Sequence, residues 1–122
     1  MEYNVCFYQN SDTKKVPVLE YIQRLPTRER AKIDAYLCLL RDNEGKLDEP
    51  YSRYICQGIR ELRIEVARNR HRIFYATICE KRIILLHAFL KKTPKTPKQE
   101  ITRALNNYQD CKTNENFVRY EN

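Results

Sequence analysis

From residue 59 the chain reads IRELRIEV, in which Leu62, Ile64 and Val66 alternate with Glu61, Arg63 and Glu65. A period of two sends the two sets to opposite sides of an extended backbone, so the pattern predicts a strand over 59–66 with one buried face. Tyr3–Tyr8, His71–Ile78 and Arg82–Leu90 also read as strands, rich in β-branched and aromatic residues, with turns at 67–70 and 79–81. The last of them is almost wholly apolar, which suits the centre of a sheet.

Elsewhere the apolar positions fall at helical spacing. Val18, Leu19, Ile22 and Leu25 follow Pro17, which fits a first helical turn, and Pro26 ends that helix. Thr27 is expected to cap a longer helix, with Ile33, Tyr36, Leu37 and Leu40 on its inner face and Gly45 at its C′ position. Residues 46–58 read as a loop punctuated by Pro50 and Gly58. Thr96 is expected to cap a last helix that starts at Pro97 and buries Ile101, Ala104, Leu105 and Tyr108. The order β-α-α-β-β-β-α predicts an α+β fold of two layers, a mainly antiparallel sheet with helices packed mainly on one side. Such a sheet leaves part of its other face open, and Arg63 points there if Leu62 and Ile64 point inward. A single domain is expected over 1–111, with 112–122 as a polar C-terminal tail.

Composition narrows the class. At 122 residues, 42% of them apolar, the chain suits one globular domain with a real core. Its longest apolar run, Ile83–Leu90, is interrupted by His87 and is far too short to span a bilayer. The opening MEYNVCFYQN has neither the basic start nor the apolar run of a secretory signal, so a cytoplasmic protein without a membrane partner is expected. Cys6, Cys38, Cys56, Cys79 and Cys111 are odd in number and scattered, with no CxxC or CxxH pair, which reads as reduced, mostly buried thiols and no metal site.

Charge changes the picture more. Residues 1–58 carry nine Lys/Arg against nine Asp/Glu, and residues 112–122 carry two of each. Residues 59–111 carry twelve against five, so the whole excess of +7 lies in one segment. Such a block marks a polyanion-binding face or, more blandly, a solubilising surface. A Gly-rich phosphate loop and a GxSxG elbow are missing from the sequence, and the basic segment has no carboxylate cluster at metal-ligand spacing, which speaks against nucleotide hydrolysis, hydrolase-elbow chemistry and hydride transfer. No cofactor is expected.

What remains are cations and imidazoles: Arg60, Arg63, Arg68, Arg70, His71, Arg72, His87, Lys91, Lys92, Lys95 and Lys98. That set suits metal-free RNA cleavage. The 2′-hydroxyl loses a proton as it attacks phosphorus, the 5′-oxygen gains one, and the extra charge on the phosphorane must be held. Only RNA carries this internal nucleophile. Arg63, Arg72, Lys91, Lys92 and His87 are the candidate catalytic residues; Arg60, Arg70, His71, Tyr75, Lys95 and Lys98 are candidate RNA contacts. Each has a plainer reading. His87 inside an apolar strand suits a hydrogen-bonded core position, and Tyr75 suits the core as well as a base stack. His71 follows a turn and is expected to be exposed. Arg63 suits a cross-strand partner for Glu61 or Glu65. Lys91 and Lys92 sit where a strand ends and a helix starts, a place that attracts anions.

The segments EPYSRY, GIRELRIEV, HRIFYATI and RIILLHAFLKKTPKTPKQEITRAL together resemble the phage-derived killer-protein family within the RelE/HigB toxin superfamily. The resemblance covers most of the chain and is most specific over 85–104. It implies the toxin of a type II toxin–antitoxin system, an endoribonuclease cutting mRNA on the translating ribosome. Its partners would be mRNA, the ribosome and a cognate helix-turn-helix antitoxin, with operator DNA reached only through that antitoxin. Carried over by position, Arg63, Arg72, Lys91 and Lys92 would handle the scissile phosphate. Relatives place a tyrosine or histidine near the C-terminus as acid; Tyr108 and Tyr120 are both open here. A catalytically inactive RNA- or antitoxin-binding module of the same fold, or a phage structural protein, are the alternatives.

Overall fold

The computed structural model describes residues 2–79 and 81–120. Its elements are β1 (Asn4–Tyr8), α1 (Pro17–Gln23), α2 (Thr27–Asp42), β2 (Ser52–Cys56), β3 (Ile59–Val66), β4 (Asn69–Ile78), β5 (Arg82–Leu90), α3 (Lys98–Asn114) and β6 (Phe117–Arg119). The result is an α+β fold in which one sheet, ordered β2-β3-β4-β5-β1-β6, is packed by three helices. β2 to β5 form an antiparallel meander, and β1 enters beside β5 in parallel. A parallel neighbour needs a long crossover, and α1, α2 and the meander lie between β1 and β5 in the chain.

Two strands go beyond the sequence reading. The loop expected at 46–58 contains β2, and the segment set apart as a polar tail contributes the end of α3 and then β6, which pairs with β1 through Phe7 and Val118. Glu80 of the expected 79–81 turn and Glu121–Asn122 of the expected tail lie outside the described residues.

Alternation assigns the two faces. Val5, Phe7, Leu62, Ile64, Ile73, Tyr75, Ile83 and Leu85 pack with Val18 and Ile22 of α1 and Ile33, Leu37 and Leu40 of α2. The intervening residues Cys6, Tyr8, Phe74, Ala76, Ile84 and Leu86 pack with Ala104 and Cys111 of α3. Helices therefore lie mainly on one side, as expected, while α3 covers part of the other. Ile33, Leu37 and Leu40 are completely buried, and truncating any one to Ala costs about 2–5 kcal/mol.

Two caps differ from expectation. Thr27 and Lys98 are the first helical residues, so the prolines before them, Pro26 and Pro97, hold the capping positions and neither threonine caps. α2 closes in a Schellman pattern: Glu44 N–H donates to the Arg41 carbonyl and Gly45 N–H to the Leu40 carbonyl. This puts Gly45 one residue later than expected, at φ +79°, where a Cβ would meet Thr77 Oγ1 at 3.1 Å. Among the described residues no helix is long and apolar enough to cross a membrane.

Candidate functional site

α3 leaves uncovered the part of its sheet face built from the first half of β4, the middle of β3 and the end of β5. Arg63 and Arg72 are direct partners across the β3–β4 ladder, and Phe89 is the partner of Arg72 on β5. Directly opposed residues share a face with Cβ atoms about 5 Å apart, so the two side chains start side by side, Arg63 then turning to Glu61 and Arg72 to Glu65. Arg70 and Lys91 each lie two residues from this row, on the same face, and Lys91 N–H continues the ladder to the Arg70 carbonyl at 2.8 Å.

Buried among these cations is Glu61, only 1% exposed. Its Oε1 accepts from Arg63 Nε at 3.0 Å, and its Oε2 accepts from the Thr96 hydroxyl at 3.2 Å. Thr96 thus ties the 91–97 linker to β3 instead of capping α3. Arg72 is 4% exposed. Its Nη1 donates to the His71 carbonyl at 3.1 Å and its Nη2 to Glu65 at 3.4 Å, while Nε has no partner among the described residues. A buried donor without an acceptor is costly, and here it adjoins a cluster of basic side chains. Burial lowers the pKa of Lys91; Glu61 pulls it back up, and Arg72, Arg63 and Arg70 push it further down. Beside the cluster lies a hollow of about 280 Å³, lined by Arg53, Glu61, Lys91, Pro94, Lys95 and Thr96 among others.

The predicted site residues therefore divide. Arg63, Arg70, Arg72 and Lys91 come together. Lys95 lines the hollow, and Lys92 and Lys98 are exposed along the adjoining 92–98 segment. His87 shares the α3 face but is stacked beside Phe74 and Phe89, with Nε2 2.7 Å from Glu100 of α3, so it acts as a core anchor for that helix.

Three of the proposed RNA contacts lie away from this cluster. Arg60 belongs to the α1–α2 face, where Nε donates to Ser52 at 3.1 Å. Tyr75 is buried there too, donating to the Gly45 carbonyl at 3.1 Å and lying 2.7 Å from Ser52 Oγ. His71, expected to be exposed, is buried between Tyr21 and Glu29: Nε2 lies 2.7 Å from Glu29 and Nδ1 2.6 Å from the Tyr21 hydroxyl. With a carboxylate at Nε2, that nitrogen donates and a neutral ring accepts from Tyr21 at Nδ1. Burial, followed by the Glu29 charge, pushes the Tyr21 hydroxyl up to about 12. The two tyrosines left open as acids lie elsewhere. Tyr120 packs on Phe7 and donates to Asp34, and Tyr108 packs on the α3 side under Lys112.

The family described as phage derived protein Gp49-like (DUF891) matches residues 20–109. The chain belongs to that family. The match runs from α1 into α3, so every residue of the Gp49-like cluster, Glu61 included, falls inside it. No curated protein matches the chain.

Glu61 was missed by the sequence reading. Its strand alternation gave the right face, and it entered only as one of two partners open to Arg63; its burial and its bond to Thr96 were not foreseen. Arg53 was missed because β2 was read as loop; it lies opposite Glu61 and extends the cation row to the sheet edge.

Proposed function

We propose that this Gp49-like protein is the toxin of a type II toxin–antitoxin pair, an endoribonuclease that cuts mRNA on the translating ribosome without a metal and is silenced by a helix-turn-helix antitoxin. The observation that carries the reading is the grouping of Arg63, Arg72 and Lys91 on the part of the sheet face that α3 does not cover, with Arg72 Nε buried and without a partner among the described residues. Charges fixed in a partly desolvated site stabilise a phosphorane far better than mobile surface charges do.

In the reaction, the 2′-oxygen forms a bond to phosphorus and the bond from phosphorus to the 5′-oxygen breaks, leaving a 2′,3′-cyclic phosphate and a 5′-oxygen that takes its proton from water to give a 5′-hydroxyl. Arg63 and Arg72 hold the non-bridging oxygens. Lys91, whose pKa is lowered, accepts the 2′-hydroxyl proton in its neutral form. A specific observation favours a second reading, a binding module without catalysis: both imidazoles are tied into structural hydrogen bonds.

The test is induction in growing bacteria with mapping of mRNA 5′ ends, wild type beside an Arg72→Ala/Lys91→Ala double variant. Toxin activity predicts growth arrest and new 5′-hydroxyl ends for the wild type only. Intact message and normal growth at good expression of the wild type would defeat the nuclease reading. Salt-sensitive RNA binding with no cleavage would leave the binding module.

A further inference from the structure

We propose that Glu61 is the positioning residue of the cluster: it locks Arg63 and the 91–97 linker in place and serves as the counterweight to the arginines around Lys91. The inference rests on the RNA-cleaving reading for its consequence, but not for its measurement. A glutamate on the solvent side of a strand would ordinarily be hydrated. This one is almost fully buried, and its two oxygens reach in different directions, one to a side chain of its own strand and one to the linker that carries Lys91 into α3. The groups around it come from every element packed there: Arg53 opposite on β2, Arg63 on β3, Arg72 on β4, and Lys91 with Thr96 at the end of β5 and beyond.

Two consequences follow from this geometry. Without Thr96 tethered, the linker loses its only side-chain hydrogen bond to β3 that the described residues provide, and the ammonium of Lys91 is free to drift from the phosphate. Without the carboxylate charge, three arginines act on Lys91 unopposed, which disfavours its protonated form further. The role differs from that of a proton acceptor, because the carboxylate is already occupied by two donors.

The experiment uses the full chain with Lys91 followed through its side-chain carbon and nitrogen resonances as pH is raised, in wild type, Glu61→Gln and Glu61→Asp. Loss of the charge in Glu61→Gln moves the Lys91 midpoint to lower pH. In Glu61→Asp the charge stays and the reach is lost, so the midpoint holds near wild type while cleavage falls about tenfold or more through misalignment. An unmoved Lys91 midpoint in a folded Glu61→Gln protein overturns the proposal. So does wild-type cleavage by Glu61→Asp, which decides the matter even if the glutamine variant does not fold. Cleavage abolished at every pH in Glu61→Gln, with Lys91 titrating as before, makes Glu61 the proton acceptor and also overturns it. A wild type that cleaves no RNA, yet shows the Lys91 shift in Glu61→Gln, removes the nuclease reading and leaves the positioning role standing.

Discussion

His71 and Arg72 are neighbours in β4, and their polar atoms meet opposite fates. His71 faces α1 and α2, where each ring nitrogen has one partner and the ring is buried. Arg72 faces the patch that α3 leaves bare, equally buried but with a donor unmatched. The same contrast runs across the sheet. On the α1–α2 side Tyr75, Ser52, Arg60 and the Gly45 carbonyl close a complete hydrogen-bonded chain. On the other side four basic side chains, Arg63, Arg70, Arg72 and Lys91, share a small area with one buried acid. A satisfied polar network specifies a fold. An unsatisfied, like-charged cluster costs stability, and folds keep such clusters where something binds.

The largest effect should come from breaking that asymmetry. Under the proposed RNA cleavage, replacing Arg72 with Ala takes a preorganised cation from the phosphorane, and cleavage should fall by about 10²–10³-fold. Thermal unfolding should stay level or rise, since a desolvated charge and its orphan donor leave together. Arg72→Lys should rescue little, because an ammonium lacks the planar fork. Loss of activity that tracks loss of folding in a melt would instead make Arg72 structural.

Next in size is Asp110, on the α3 side but away from the patch. Its carboxylate accepts from the Ser11 hydroxyl at 2.6 Å, the Tyr8 hydroxyl at 2.6 Å, Ser11 N–H at 3.0 Å and Asn114 at 2.7 Å. Those bonds, Ser11's first, hold its pKa well below the usual carboxylate range. The folded chain therefore binds this proton less readily than the unfolded one, so the stabilisation is whole above about pH 4 and is lost as pH falls toward the folded value. Asp110→Ala should cost about 1.5–3 kcal/mol at neutral pH in denaturant titrations, and the gap to wild type should narrow in acid. A gap independent of pH would assign the loss to packing.

A third effect sharpens the role of Lys91. If its neutral form takes the proton, the cleavage rate rises up to tenfold per pH unit until its lowered pKa is passed, then levels. Stability should respond in the same direction. Between the lowered value and the ordinary 10.5 the unfolded chain holds the proton that the folded chain has released, so stability gains with pH across that window. A rate profile unchanged in Lys91→Met would remove Lys91 from proton transfer.

How much of this the sequence disclosed depends on where tertiary context mattered. β3 alternates cleanly, so Leu62 and Ile64 fixed the face of Arg63 without further help. β4 does not: Ile73 and Tyr75 are buried on one face, Phe74 and Ala76 on the other. With both sides apolar, periodicity could not tell that His71 faces helices and Arg72 faces open sheet. β2 hid for a different reason. It is an edge strand with an irregular register near Ile55, and exposed Arg53 and Tyr54 give it no apolar stripe. β6 is three residues long and exists through pairing with β1 more than a hundred positions away, a partner no local pattern can announce. The convergence of Lys91 with the arginines was suggested by the strand–lysine–helix junction; the acid beneath it was not.

The smallest expected effect tests the satisfied face. Tyr75→Phe keeps the ring and its burial, and removes one hydroxyl from the chain that links Ser52 to Gly45. Ser52 Oγ still accepts from Arg60, so only the Gly45 carbonyl and one Ser52 donor lose a partner. The loss should be about 1 kcal/mol, near the net worth of a single hydrogen bond, read as a lower denaturation midpoint with an unchanged slope. Cleavage should be untouched, because the hydroxyl lies on the side of the sheet away from Arg63 and Arg72. A marked fall in cleavage with stability intact would break the division of labour between the faces, since it would show that the helical side also reaches the substrate.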